Sequence, residues 1–282
     1  MIALLVDGPL AFRPNQLIEV LNSLDEAHSW THTQPELDGD DAVSTADTLG
    51  LICSGPHGGI MTVMNLDLPL KPVLVEEARV RSWWYDEAER AAAHRTHWVI
   101  AGGQAEGWEA AVLRAKVSTV IAAMLIRDNP SICAVWNGVN GTLFTPDSVM
   151  QDLGFVARGQ VPLMFWIFNA LHDLTDGNVS MSTGGLVPFV GYELEFWNAP
   201  RSKEVVVEQL NGVLNYLLAM GPIIQSGQTI GMSGGAETLR CDFGPSRTER
   251  NAPTTALQLT FVDGPAAAKP KPSFLGKLFG RA

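Results

Sequence analysis

The sequence predicts an α+β protein in which antiparallel sheets carry packed helices. Three observations support this: the hydrophobic period switches repeatedly between the strand value and the helix value, strong turn signals sit between neighbouring strand-like runs, and the chain turns β-rich after Val161. "IALLVDG" reads as a buried strand. "PNQLIEVLNSLD" is a helix opened by Pro14, with Leu17, Ile18, Leu21 and Leu24 on one stripe. "TLGLICSG" and "GGIMTVMNLDLPL" are strands joined by the turn "GPHGG", the run "VLVEEARVRSWWYDEAERAAAH" is helical, and "THWVIAGG" is a strand. The order β-α-β-β-α-β is that of a ferredoxin-like unit. In such a unit Ile2–Val6 and His97–Ala101 share one antiparallel sheet, with both helices on one side of it.

"GWEAAVLRAKVSTVIAAMLIRD" continues as a helix whose Ala111, Ala115, Ser118 and Ala122 form a small-residue face for close packing. "ICAVWNG" and "GTLFTP" form a hairpin around Asn140-Gly141, and Pro146-Asp147 opens a short helix. Beyond Val161, "VPLMFWIFNALHD", "NVSMSTGGLVPFV" and "YELEFWNA" are strand-like. "SKEVVVEQLNGVLNYLLAMG" is a helix, and two or three strands finish near Phe261. The expected organisation is a ferredoxin-like half over 1–102, a second α+β half over 103–264 packed on the first, and a flexible basic tail over 265–282.

Hydrophobic residues make up 46% of the 282 and charged ones 17%, which excludes disorder for most of the chain. The formal charge is −11, but Lys269, Lys271, Lys277 and Arg281 all lie in the tail. Residues 1–264 therefore hold 15 basic against 30 acidic residues, −15, which repels nucleic acid. Three distant cysteines, Cys53, Cys133 and Cys241, form no Cys-x-x-Cys pair and suit a reducing cytoplasm. No apolar run reaches the ~18–20 residues that span a bilayer, and the N-terminus lacks the basic start of a secretion signal. The tail's Phe274, Leu275, Leu278 and Phe279 would line one side of a short helix on an alanine-proline-lysine tether. That is the pattern of a docking peptide, and equally of a disordered tail with no task, with weak peripheral membrane contact as a lesser use.

No motif fixes a reaction. Gly231, Ser233 and Gly235 match the spacing of a nucleophile elbow, but a strand follows where a helix is needed, and every histidine precedes Ser233. No Walker loop, dinucleotide fingerprint or His-Glu-x-x-His is present, so no cofactor or metal is expected. "LDGDDAVSTADT" lacks the ligand alternation and closing Glu of a calcium hand. The candidate binding residues are His97, at the start of a strand; His172 and Asp173, at a strand end; and Glu193 and Glu195. In "GYELEFW", Tyr192, Leu194 and Phe196 face one way and Glu193, Glu195 and Trp197 the other. Carboxylates ~7 Å apart on one face of a strand can bind a cation or protonate a leaving group. A solvated sheet face has the same pattern, and that reading leads. Gly184, Gly185 and Gly191 are expected to meet backbone needs, since a strand and not a helix follows them.

The combination of "THWVIAGG" with its Ala-rich helix, "AVWNG", "TGGLVPFVGYELEF", "VVVEQLNGVLNYLLAMG" and "IIQSGQTIGMSGGAETLRCDFG" resembles the bacterial domain-of-unknown-function family four-two-six-one. The resemblance covers most of residues 1–262 and is clearest from Thr183 to Gly231. It implies a bacterial, cytoplasmic protein without an established activity, with some relatives suspected of acting around toxin, immunity or secretion systems. The expected function is a non-enzymatic binding or adaptor protein with an acidic body and a protein partner. The rival is a hydrolytic or metal-assisted enzyme built on the Glu, Asp and His residues named above.

Overall fold

The computed structural model describes residues 1–24, 27–33, 48–55, 57–82, 84–86, 88–103, 106–172, 178–231, 237–248 and 255–262. Asp173, Ser233 and the tail with Phe274, Leu275, Leu278 and Phe279 lie outside the described residues. The fold is α+β, and the chain divides between Trp166 and Ile167 into two compact units.

The first unit contains β1 (Ile2–Val6), α1 (Pro14–Leu24), β2 (Ser29–His32), β3 (Thr48–Ser54), β4 (Gly59–Leu66), α2 (Pro72–Arg81), α3 (Ala88–Ala92) and β5 (Thr96–Gly102). It continues with α4 (Trp108–Asp128), β6 (Ile132–Asn137), β7 (Thr142–Phe144), α5 (Pro146–Ala157) and α6 (Leu163–Trp166). Its described strands form one antiparallel sheet in the order β2-β3-β4-β5-β1-β6-β7. All five residues of β1 are buried. Ala3 and Leu5 join Leu70, Val75, Ala78, Tyr85 and Ala91 in one cluster beneath α2 and α3. Ile2, Leu4 and Val6 point the opposite way, where α4 packs on β1 and β5. Covering both faces is what makes "IALLV" a continuous apolar run, each large side chain contributing ~1.5–3 kcal/mol on burial.

Four expectations need correction here. Helices cover both faces of this sheet, not one. The strand order departs from the ferredoxin-like one, because β4 pairs directly with β5 and leaves no place for β1 between them. A boundary at residue 102 would cut a sheet in two, since β6 pairs with β1 and β7 with β6. Finally, the helix expected from Val73 to His94 is broken after Arg81. The Ser82 hydroxyl turns back to the Ala78 carbonyl at 2.7 Å and accepts from the Leu143 amide at 2.7 Å, which ties the break to β7.

The second unit contains β8 (Phe168–His172), β9 (Val179–Gly184), α7 (Val187–Val190), β10 (Glu193–Ala199), α8 (Lys203–Met220), β11 (Gln228–Gly231), β12 (Thr238–Pro245) and β13 (Thr255–Phe261). Its described strands run in the order β11-β12-β13-β10-β9-β8, antiparallel except for the parallel pair β10/β13. Leu194, Phe196, Leu257, Leu259, Met181 and Leu239 are all buried, as are Val206, Leu210, Val213, Leu214 and Leu217 of α8, which packs on β9 and β10. The register Ser182↔Glu195↔Gln258↔Asp242 runs across four strands on the other face, a polar row at the centre of the sheet.

Candidate functional site

Strand alternation puts Glu193 and Glu195 on the polar face, but that face is not wet at their positions. Glu193 is 3% exposed and Glu195 is fully buried. Buried carboxylates require partners, and each of these has them.

The Glu193 carboxylate lies across the turn that precedes α7. It accepts from the Thr183 hydroxyl at 2.6 Å, from the Gly185 amide at 2.9 Å, and from the Leu186 amide at 3.1 and 3.2 Å, with the Val187 amide at 3.4 Å. Thr183 Oγ1 also accepts from the Leu194 amide at 2.8 Å, which locks β9 to β10 beside the turn. A short helix, and not a strand, follows Gly185, which corrects the expectation for this loop. The free amides at its start make an anion cradle, and the chain's own Glu193 fills it. Gly185 (φ +101°) and Gly191 (φ +88°) occupy backbone conformations that favour glycine, as expected of hinges. Burial pushes the Glu193 carboxyl up from its ordinary value, and its hydrogen bonds pull it back only in part.

Glu195 holds a different segment. Its carboxylate accepts from Trp197 Nε1 at 2.8 Å, from the Ser246 hydroxyl, and from the Arg247 amide at 3.2 Å. Ser246 Oγ lies 3.1 Å from Thr248 Oγ1 and accepts from the Thr248 amide at 3.2 Å. Thus Glu195, in the middle of the sheet, anchors the chain where it leaves β12.

His172 reaches the same face from β8. Its Nε2 shares a 2.8 Å hydrogen bond with Ser182 Oγ, and its ring stacks on Trp197 with centroids 5.1 Å apart and planes at 23°. A register shift between Phe196 and Ala199 surrounds Trp197, with Asn198 at φ +50° and its amide donating to Ser180 Oγ at 3.0 Å. This bulge sets the indole between His172 and Glu195. Of the nominated residues, His172 and Glu195 are therefore linked through Trp197, and Glu193 sits two residues along the strand in its own cradle. His97 belongs to the first unit, where it is buried and its Nδ1 donates to the Leu68 carbonyl at 2.8 Å.

The groups that most often carry covalent chemistry are quiet. Burial pushes the Cys133 thiol up to about 12, and burial with the nearby Asp242 charge pushes Cys241 up to about 11, so neither forms a thiolate at neutral pH. Ser182 is buried beneath its histidine. Among the described residues, no group of three or more His, Cys, Asp or Glu side chains is placed to hold a metal ion.

Sequence reasoning missed Ser182, Trp197, Ser246 and Arg247 as members of this network. Trp197 was within reach, because it shares the alternation that carries Glu193 and Glu195. Ser246 and Arg247 were not, because they follow β12, which reaches β10 only through the pairing of β13 with both strands.

The geometry defines an α+β protein whose second sheet is braced by two buried carboxylates. Residues 182–255, which span both braces and most of their partners, match the family described as Domain of unknown function (DUF4261), the family that the sequence resembles. No curated protein and no solved structure matches the chain. Among the described residues, no helix is long and apolar enough to cross a membrane.

Proposed function

We propose that the protein is a bacterial cytoplasmic binding or adaptor protein, in which an acidic body meets a basic protein partner and the segment 265–282 adds a second contact. One observation carries this reading: the described candidates for acid-base work are engaged in holding backbone or neighbouring side chains. Glu193 closes a turn, Glu195 anchors the exit of β12, His97 pins Leu68, and His172 is stacked and bonded. A general base needs a lone pair aimed at a substrate. The charge of −15 over residues 1–264 supplies the attraction for a basic partner, strongest at low ionic strength. An immunity-like or secretion-associated role fits this chemistry.

The second reading, a hydrolase, has one observation in its favour, the 2.8 Å contact between His172 and Ser182. The two are separated by using the full chain as bait in a bacterial lysate at low and high salt, beside a form lacking residues 265–282. The binding reading expects a discrete basic protein held at low salt, released at high salt, and held less well by the shortened form. Turnover of an ester or peptide substrate that disappears in His172→Ala, with folding intact, supports the hydrolase instead.

A further inference from the structure

In the middle of the first sheet β1 and β4 end and β5 begins at the same end of their strands, and a cleft of about 480 Å³ opens among these termini. That volume lies within the range of small-molecule sites. The cleft is lined by two acidic residues, Asp7 and Asp67, by Arg95, and by Trp98 and Leu10, which are themselves largely buried. Among the described residues, Asp7, Asp67 and Arg95 make no side-chain hydrogen bond or ion pair. A cleft that holds both signs of charge, each without a partner, beside an indole has the chemistry of a receptor for a ligand that carries both signs itself.

Its walls are fixed in advance. On one side, Asn129 at the end of α4 grips Ala11, accepting from its amide at 2.8 Å and donating to its carbonyl at 2.6 Å. The Asp7 amide donates to the Ser131 carbonyl at 3.0 Å, and Ser131 Oγ donates to the Pro9 carbonyl at 3.2 Å. On the other side, His97 holds the Leu68 carbonyl at 2.8 Å, and His94 Nε2 accepts from the Leu70 amide at 2.8 Å. The lone pair that Nε2 turns to the Leu70 amide belongs to the neutral ring, and burial lowers the His94 pKa in the same sense, against the donation from Nδ1 to the Ala91 carbonyl. The two carboxylates are thus presented by segments tied to the helices and to the sheet, which cuts the ordering cost of binding.

We propose that this cleft binds a small zwitterion of the amino-acid class with an apolar side chain. The ammonium lies between Asp7 and Asp67, the carboxylate is taken by Arg95, which is able to bind it through two parallel hydrogen bonds, and the side chain lies against Trp98. The proposal is independent of the reading of the second unit. The test is calorimetric titration of the full chain with the free apolar amino acids, with the ethyl ester of the best one as an amine-only probe and with acetate as a carboxylate-only probe. At least one amino acid binds, its ester and acetate bind at least tenfold more weakly, and Arg95→Gln and Asp67→Asn each weaken it at least tenfold. Both residues are exposed and unbonded, so the variants melt with the parent. Absence of binding by every apolar amino acid overturns the proposal. So does binding that survives both substitutions, or an ester that binds as tightly as the acid.

Discussion

Replacing Glu195 by alanine removes the acceptor of three donors: Trp197 Nε1, the Ser246 hydroxyl and the Arg247 amide. A buried donor left unpaired costs ~1–3 kcal/mol. Ser246 still has Thr248 Oγ1 within 3.1 Å, so its share is small, and the Trp197 ring retains some solvent contact. The loss therefore comes mainly from the indole and the Arg247 amide, about 2–4 kcal/mol together. At roughly 2–4 °C per kcal/mol for a chain of this size, the melting temperature falls by about 5–15 °C. Glu195→Gln keeps the shape and one oxygen but turns an amide NH2 toward donors, so it falls between the parent and the alanine variant. Urea denaturation followed by tryptophan fluorescence measures both, with the midpoint lowered and the slope unchanged. If both variants stay within ~0.5 kcal/mol of the parent, or are stabilised, Glu195 is not a brace and the reasoning fails. A carboxylate kept for chemistry at the expense of stability would give that result.

Two further outcomes follow from the same geometry. Gly191→Ala, at φ +88° with open space around the position a Cβ would take, loses about 1 kcal/mol from backbone strain alone, read as a lower denaturation midpoint with unchanged far-ultraviolet dichroism. Asp152 on α5 is pushed up to about 7 by burial, so the folded state holds its proton more tightly than the unfolded chain does. Its contribution to stability is present below about pH 4 and is lost as the pH rises through 7. Asp152→Asn therefore raises the melting temperature more at pH 8 than at pH 5. The difference between the variant and parent curves separates this effect from His94, whose lowered pKa acts in the opposite direction with pH.

Local pattern reached far in this chain. The run "IALLV" announced a strand, the Asn140-Gly141 turn joined β6 to β7 as expected with Gly141 at φ +68°, and the alternation in "GYELEFW" put both glutamates on one face. What local pattern did not carry was pairing. Whether β1 lies between β4 and β5 or outside them depends on contacts between residues some ninety apart, such as Ile2 with Ile100. Burial of Glu193 and Glu195 was illegible for the same reason. A strand shows which residues share a face, and the partners that close over that face come from Thr183, Ser246 and Arg247, on other strands or the chain leaving them. The cleft beside Asp7 is a third case, because its charges come from three segments that meet only where the central strands β1, β4 and β5 are paired.

The most direct test of the claim that the second unit's polar network braces the fold is the reactivity of Ser182. The folded protein is treated with a fluorophosphonate that labels activated serines, then digested and mapped by mass spectrometry. The account predicts no label on Ser182, because the residue is buried and the reagent cannot reach its hydroxyl. Stoichiometric labelling of Ser182 that is lost in His172→Ala would contradict it and make the pair a catalytic dyad.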